Sequence, residues 1–361
     1  MDLHVSKSRI NTSIEKKDAT IEAIRCVALF LVLFTHTGDY GSKLYQKMNE
    51  TNSLLYFFSM SLDVIRISSV PLFLMISGAV LLGKNESVLT IIKKRILRFS
   101  VVLLIFSAIQ YTYSHYVYNT ELSINNFFKK IFVGEIKGEY WYLYLYLAYL
   151  LLLPIIRPVA QRLTKTTIVY LVLLSTFVDI MGMIGEKFGK YCMLNNYISF
   201  LSCYSFIFPI LGYGCYNILS KRRLFIHERI TLIISWIFVV IVNTYLTYIS
   251  YLENGIYSEN QIWRLNVLLT MPVFCILLDL GKQLKIPEMI RKIVCCIGNA
   301  CFGIYLMENF IERYSSKFLS LLYMYSPYKL TNCFLYLIVT ILGGTIFINL
   351  LKKIPIISKT I

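Results

Sequence analysis

The sequence predicts an all-α, polytopic integral membrane protein, and three observations carry that prediction. The 361 residues are 57% hydrophobic with a mean hydropathy of +0.62, too apolar for a soluble domain of this size. Apolar runs of about 20 residues, the length that crosses a bilayer as a helix, recur along the whole chain. Basic residues gather in alternate segments between those runs, which is the charge asymmetry of a multi-pass protein.

The polar tail 1–18 precedes the first run and no small-residue cleavage pattern follows it, so that run is expected to stay as a helix and not to act as a signal peptide. Ten spans are expected, at about 19–38, 60–83, 99–118, 140–157, 167–185, 199–219, 230–251, 264–281, 293–312 and 331–351. Nothing between them is long enough for a separate soluble domain. Residues 19–351 are therefore expected to form one transmembrane domain between cytoplasmic tails at 1–18 and 352–361. With the N-terminus inside, the inner segments hold 23 Lys and Arg and the outer loops 10; the other three are Arg25, Arg66 and Arg264 within spans. This bias puts both termini in the cytoplasm. It also explains the net charge of +16 as topology, so the expected partner is the lipid bilayer and not nucleic acid. The nine cysteines lie largely in spans, without CxxC or paired loop spacing, and read as small buried hydrophobes; neither metal nor disulfide is expected.

Polar residues inside the spans point to function. In the first span Arg25 and His36 are eleven residues apart, which returns them to nearly one helix face, roughly 16 Å apart along the axis. An arginine near a bilayer centre costs on the order of 3 kcal/mol on insertion scales, so such a residue usually faces protein or a cavity. The second span carries Asp63 and Arg66, which at i and i+3 can neutralise each other. It continues through Ser69-Val-Pro-Leu-Phe-Leu-Met-Ile-Ser-Gly78, where Pro71 and Gly78 suggest a broken helix lining a cavity. Ser77 and Gly78 then fall near the depth of Arg25. Glu139 and Trp141 open the fourth span, and Glu308 and Asn309 lie near the outer end of the ninth. His36, Asp63, Glu139 and Glu308 thus share one level on four helices. Asp179, Arg264 and Asp279 stand near span ends and read as snorkelling or structural.

These residues carry a family resemblance. Arg25-x10-His36, Pro71-Leu-Phe-Leu-Met-Ile-Ser-Gly-Ala-Val-Leu-Leu82 and Lys94-Arg-Ile-Leu-Arg98 resemble the opening of acyltransferase family 3, the membrane-bound O-acyltransferases of surface glycans. Tyr140-Trp-Tyr-Leu143, Leu153-Pro-Ile-Ile-Arg-Pro158 and Phe302-Gly-Ile-Tyr-Leu306 are similar to its later signatures, in order along nearly the whole chain. The resemblance implies about ten helices that move an acyl group, usually acetyl, from cytosolic acyl-CoA to an extracytoplasmic glycan, in free or lipid-linked form. The family's arginine and histidine match Arg25 and His36. Two family histidines are replaced, by Glu139 and by Glu308, and both replacements keep a proton acceptor.

On that resemblance His36 is the expected general base on an acceptor hydroxyl, with Glu308 or Glu139 orienting its ring. Arg25, Arg95 and Arg98 would hold the phosphates of acetyl-CoA or another acyl-CoA, and the break around Pro71 to Gly78, with Ser77, would admit its pantetheine arm. Asp63, Trp141 and Tyr305 would meet the acceptor. Direct transfer and an acyl-histidine intermediate both satisfy these residues. A proton-coupled transporter of a glycolipid or small molecule is the alternative that membrane carboxylates and a broken helix admit. It has no detectable inverted repeat and gives the Arg25/His36 spacing no part.

Overall fold

The computed structural model of the chain describes residues 18–48, 53–119, 122–189, 192–198, 203–283, 286–308, 310, 311, 317, 320, 321 and 329–354. The tail before Asp18, residues 355–361 and Asn309 lie outside the described residues. All regular structure among the described residues is helical.

The first helix, α1 (Ala19–His36), is the hub of the bundle. Asp18 caps it, its side chain accepting the Thr20 N–H at 2.9 Å, which satisfies one of the first-turn donors that have no helical partner. Because α1 is apolar nearly all round, it can bury more than one face. Ile21, Ile24 and Ala28 enter one core cluster; Leu29, Leu33 and Phe34 enter a second; Val32 enters a third.

The expected span 60–83 is two helices, α2 (Leu54–Arg66) and α3 (Ser69–Leu81). They join at Ile67 and Ser68, whose N–H groups reach back three residues to the Val64 and Ile65 carbonyls at 3.2 Å. The break therefore precedes Pro71 and does not run from Pro71 to Gly78. Pro71 falls in the first turn of α3, where a missing N–H removes no intrahelical bond, and the helix runs unbroken through Gly78. There α3 packs backbone to backbone on α10 (Tyr204–Lys221). A side chain on Gly78 would run into the Pro209 backbone, and one on Gly212 into that of Met75. Small residues at such a crossing are what lets membrane helices approach closely.

Between these two helices come α4 (Val88–Ile91), a π-helical turn (Ile92–Ile96), α5 (Leu97–Tyr118), α6 (Ile124–Val133), α7 (Trp141–Gln161), α8 (Lys165–Lys187) and α9 (Met193–Tyr197). After α10 come α11 (Ile226–Asn254), α12 (Glu259–Ile262), α13 (Asn266–Gln283), α14 (Glu288–Leu306) and α15 (Lys329–Leu351). Each expected span overlaps one of these helices. Among the described residues, eight spans, counting 54–81 as one, are long and apolar enough to cross a membrane. Neither α5 nor α10 is among the eight. The second half of α5 carries Gln110, Ser114 and His115 between tyrosines; α10 carries Pro209, Gly212, Gly214, Asn217 and Lys221. These lower hydropathy without ending the helix.

Asp279 is structural, as its place near a span end suggests. It is buried, pairs with Arg229 at 2.8 Å and accepts the Leu224 N–H at 3.1 Å and the Gln283 amide at 2.7 Å. It thereby ties the 222–225 connection to α13. Arg264 pairs with Glu186.

Candidate active site

Arg25 and His36 line one cavity of about 690 Å³, walled by α1, α3, the π-helical turn, α5, α7 and α14. Their eleven-residue spacing thus turns both toward one space. Aromatic rings line the same cavity: Phe73, Phe99, Tyr142, Tyr146 and Phe302, with Phe99 stacked on Phe302 at 5.9 Å and tilted against Tyr146 at 4.8 Å between ring centroids.

The Arg25 end is cationic. Arg25, Lys94, Arg95, Arg98 and Lys352 all line it. Two of these guanidiniums are already held by carboxylates. The Arg25 NH1 donates to both oxygens of Glu22, at 2.7 and 2.6 Å. Glu22 is buried and lies against Gly298, where a side chain would collide with its Oε2. Arg95 donates from Nε and NH2 to the two oxygens of Glu86, at 2.9 and 2.6 Å. Arg157, buried on α7, also reaches Glu86 Oε2 at 3.1 Å and the Leu81 carbonyl at 3.1 Å. Between two guanidiniums, the Glu86 carboxyl is held down at about 2. Lys94 and Arg98 form no ion pair among the described residues. Lys352 donates to the Asn299 carbonyl at 2.7 Å.

Ser77 lines the cavity, its hydroxyl donating to the Phe73 carbonyl at 2.9 Å. Gly78, one residue on, faces α10 and lies off the cavity wall. Its small size serves helix packing.

At the other end His36 sits in the last turn of α1, and its Nδ1 bonds Glu308 Oε1. Glu308 is buried, and its Oε2 has no hydrogen-bond partner among the described residues. The imidazole Nε2 has no partner among the described residues. Its position is reinforced by the turn that follows: Ser42, fully buried, donates its hydroxyl to the Thr35 carbonyl at 3.1 Å and its N–H to Thr37 Oγ1 at 3.1 Å. Two crossed bonds tie the end of α14 to the start of α7. The Tyr305 hydroxyl donates to the Glu139 carbonyl at 2.5 Å, and the Tyr140 hydroxyl to the Leu306 carbonyl at 3.1 Å.

Of the two carboxylates that could orient the histidine, Glu308 is the one in contact. Glu139 lines the cavity, but its side chain is 39% exposed and pairs with the buried Lys137 at 3.6 Å. Trp141 and Tyr305 line the cavity beside it. Asp63 stands apart. It is fully buried, paired with Arg66 and accepting the Tyr45 hydroxyl at 2.8 Å, and it does not reach the cavity; Arg66 does. A carboxylate already holding two donors away from solvent is spoken for.

Sequence reasoning missed Glu22, Glu86, Arg157 and the cavity position of Lys352. Glu22 had a signal, an acid three residues before Arg25 in apolar sequence. Arg157 stood within the family-like segment Leu153–Pro158 with no role read for it, and Glu86 had no signal, since their meeting depends on how the α3–α4 connection crosses α7.

No curated protein and no solved structure matches the chain. A family model described as an acyltransferase domain, that of acyltransferase family 3, matches residues 18–350. With nearly its whole length covered, and with all-helical spans around a cavity that holds the Arg25/His36 pair, this chain belongs to acyltransferase family 3, and it is a membrane acyltransferase.

Proposed function

We propose that the protein transfers an acetyl group from cytosolic acetyl-CoA to a hydroxyl of an extracytoplasmic surface glycan, free or lipid-linked, with His36 as general base. The observation that carries this reading is the single cavity with a cationic end at Arg25 and a carboxylate-held imidazole at His36. The reading further places the chain in a bacterial cytoplasmic membrane with both termini inside, supported by the bias of Lys and Arg toward alternate loops.

The cationic end suits the phosphates of the donor. Guanidinium offers a planar fork of donors that matches phosphate oxygens, and Lys94 and Arg98 add charge with no competing ion pair among the described residues. Ser77 and the aromatic wall then lie along the path of the pantetheine arm. At the other end Glu308 fixes the proton of His36 on Nδ1 and leaves Nε2 as the basic nitrogen. Nε2 takes the proton of the acceptor hydroxyl as its oxygen attacks the thioester carbonyl. The carbon–sulfur bond breaks, an ester forms, and the leaving thiolate takes the proton back from His36 to give free CoA.

Replacement of His36 by alanine or glutamine tests the reading. Acetyl modification of the surface glycan, measured by NMR on purified material, is expected to vanish while the protein persists in the membrane at its normal level. A normal acetyl signal from either variant contradicts the assignment of the base.

A further inference from the structure

Arg95 is gripped along one edge only. Its Nε and one N–H of NH2 meet the two oxygens of Glu86. The opposite edge, NH1 with the second N–H of NH2, has no partner among the described residues, and the side chain lines the cavity. Guanidinium is a rigid fork, so fixing one edge fixes the direction of the other.

Glu86 is itself fixed from behind. Arg157 bonds its Oε2 at 3.1 Å and its backbone carbonyl at 3.2 Å, and reaches the Leu81 carbonyl at the end of α3. Gln161, four residues along α7, donates to the Leu82 carbonyl at 2.9 Å. The connection between α3 and α4 is thus riveted to α7, with its one carboxylate turned toward the π-helical turn. That turn carries Lys94 and Arg95, and Arg98 follows in the first turn of α5; all three line the cavity. A single π-helical turn inside a longer helix re-aims side chains and recurs at functional sites.

We infer that Glu86 is a positioning residue for the donor: it aims the open edge of Arg95 at the cavity, and Arg157 aims Glu86. This rests on the reading that the Arg25 end binds acyl-CoA. An arginine left free must be immobilised when the donor arrives, and that loss is avoided when its direction is already set. The inference goes beyond electrostatics, because removing an anion from a phosphate site would by charge alone tighten binding.

Steady-state kinetics on the full-length protein in native membranes, with acetyl-CoA varied, separate these possibilities. Glu86→Gln is expected to raise the KM for acetyl-CoA about fivefold with kcat within twofold of wild type. Glu86→Asp keeps the charge and should recover part of the loss. Arg98→Ala reports on the underlying reading, since it removes a donor-facing cation without touching Glu86. If Arg98→Ala leaves the KM for acetyl-CoA unchanged, the donor site lies elsewhere and the reading beneath the inference fails. If Arg98→Ala raises that KM while Glu86→Gln lowers it or leaves it unchanged, Glu86 is a competing or bystander anion and the inference is overturned. A fall in kcat alone for Glu86→Gln, or a fall in membrane level alone, assigns Glu86 a purely structural role and also overturns it.

Discussion

At the Arg25 end of the cavity five cations face one space, and two of them are already held by carboxylates. At the His36 end a single imidazole is held by one buried carboxylate. Both ends use acid–base pairs, yet the pairs do different work. Glu22 and Glu86 occupy one side of each guanidinium and leave other N–H groups for a ligand, so the end keeps a positive excess that suits a polyanion binding and leaving. Glu308 occupies one of only two ring nitrogens; on the proposed mechanism this sets the tautomer and leaves the other nitrogen for proton transfer. Damage at the first end should be read in affinity, and damage at the second in the rate of the chemical step.

The largest contrast short of losing His36 comes from Glu308→Gln. The amide keeps the size but loses the charge, and it can turn either an acceptor or a donor toward Nδ1, so the tautomer is no longer fixed. Turnover is expected to fall about a hundredfold, within the range contributed by general acid–base groups, with the KM for acetyl-CoA near wild type. Glu139→Gln, on a carboxylate that meets Lys137 and not the imidazole, should cost less than tenfold. If the two variants fall equally, the assignment of Glu308 as the orienting partner breaks.

Arg25→Lys sharpens the other end. Lysine keeps the charge but loses the planar group that can hold Glu22 through NH1 and, on the proposed reading, phosphate through its other N–H groups. The KM for acetyl-CoA should rise about tenfold, and the KM for the acceptor should not move. A change confined to acceptor dependence would move Arg25 out of the donor end.

Gly78→Ala gives the smallest effect on activity and a clear one on stability. The new methyl would overlap the Pro209 backbone, and overpacking of this kind costs about 1–3 kcal/mol. Thermal unfolding in detergent should drop while the KM for acetyl-CoA stays put. A donor effect at unchanged stability would return Gly78 to the cavity.

The same two ends differ in how far the sequence exposes them. Helical periodicity alone puts Arg25 and His36 on one face at opposite depths, because both ride on one helix. Glu308 is legible as an acid inside an apolar run, where an unpaired charge would be costly. The partner of each group is not legible in the same way. Asp63 shares the depth of His36 by residue count, but rotation of α2 sends it to Arg66 and Tyr45. Gly78 follows a cavity-lining serine, yet one step along a helix turns about 100° and faces it to α10. Glu86 and Arg157 are 71 residues apart and meet only through packing. Depth and face follow from local geometry; which neighbour stands opposite is a tertiary fact.

The central claim is that one cavity joins a donor end and an acceptor end on opposite faces of the membrane. Sealed inverted vesicles, loaded with acceptor glycan and given radiolabelled acetyl-CoA outside only, test it most directly. Label is expected on the enclosed glycan, protected from an external glycan-degrading enzyme and absent with His36→Ala. Label that appears only on glycan added to the same side as acetyl-CoA would contradict the claim.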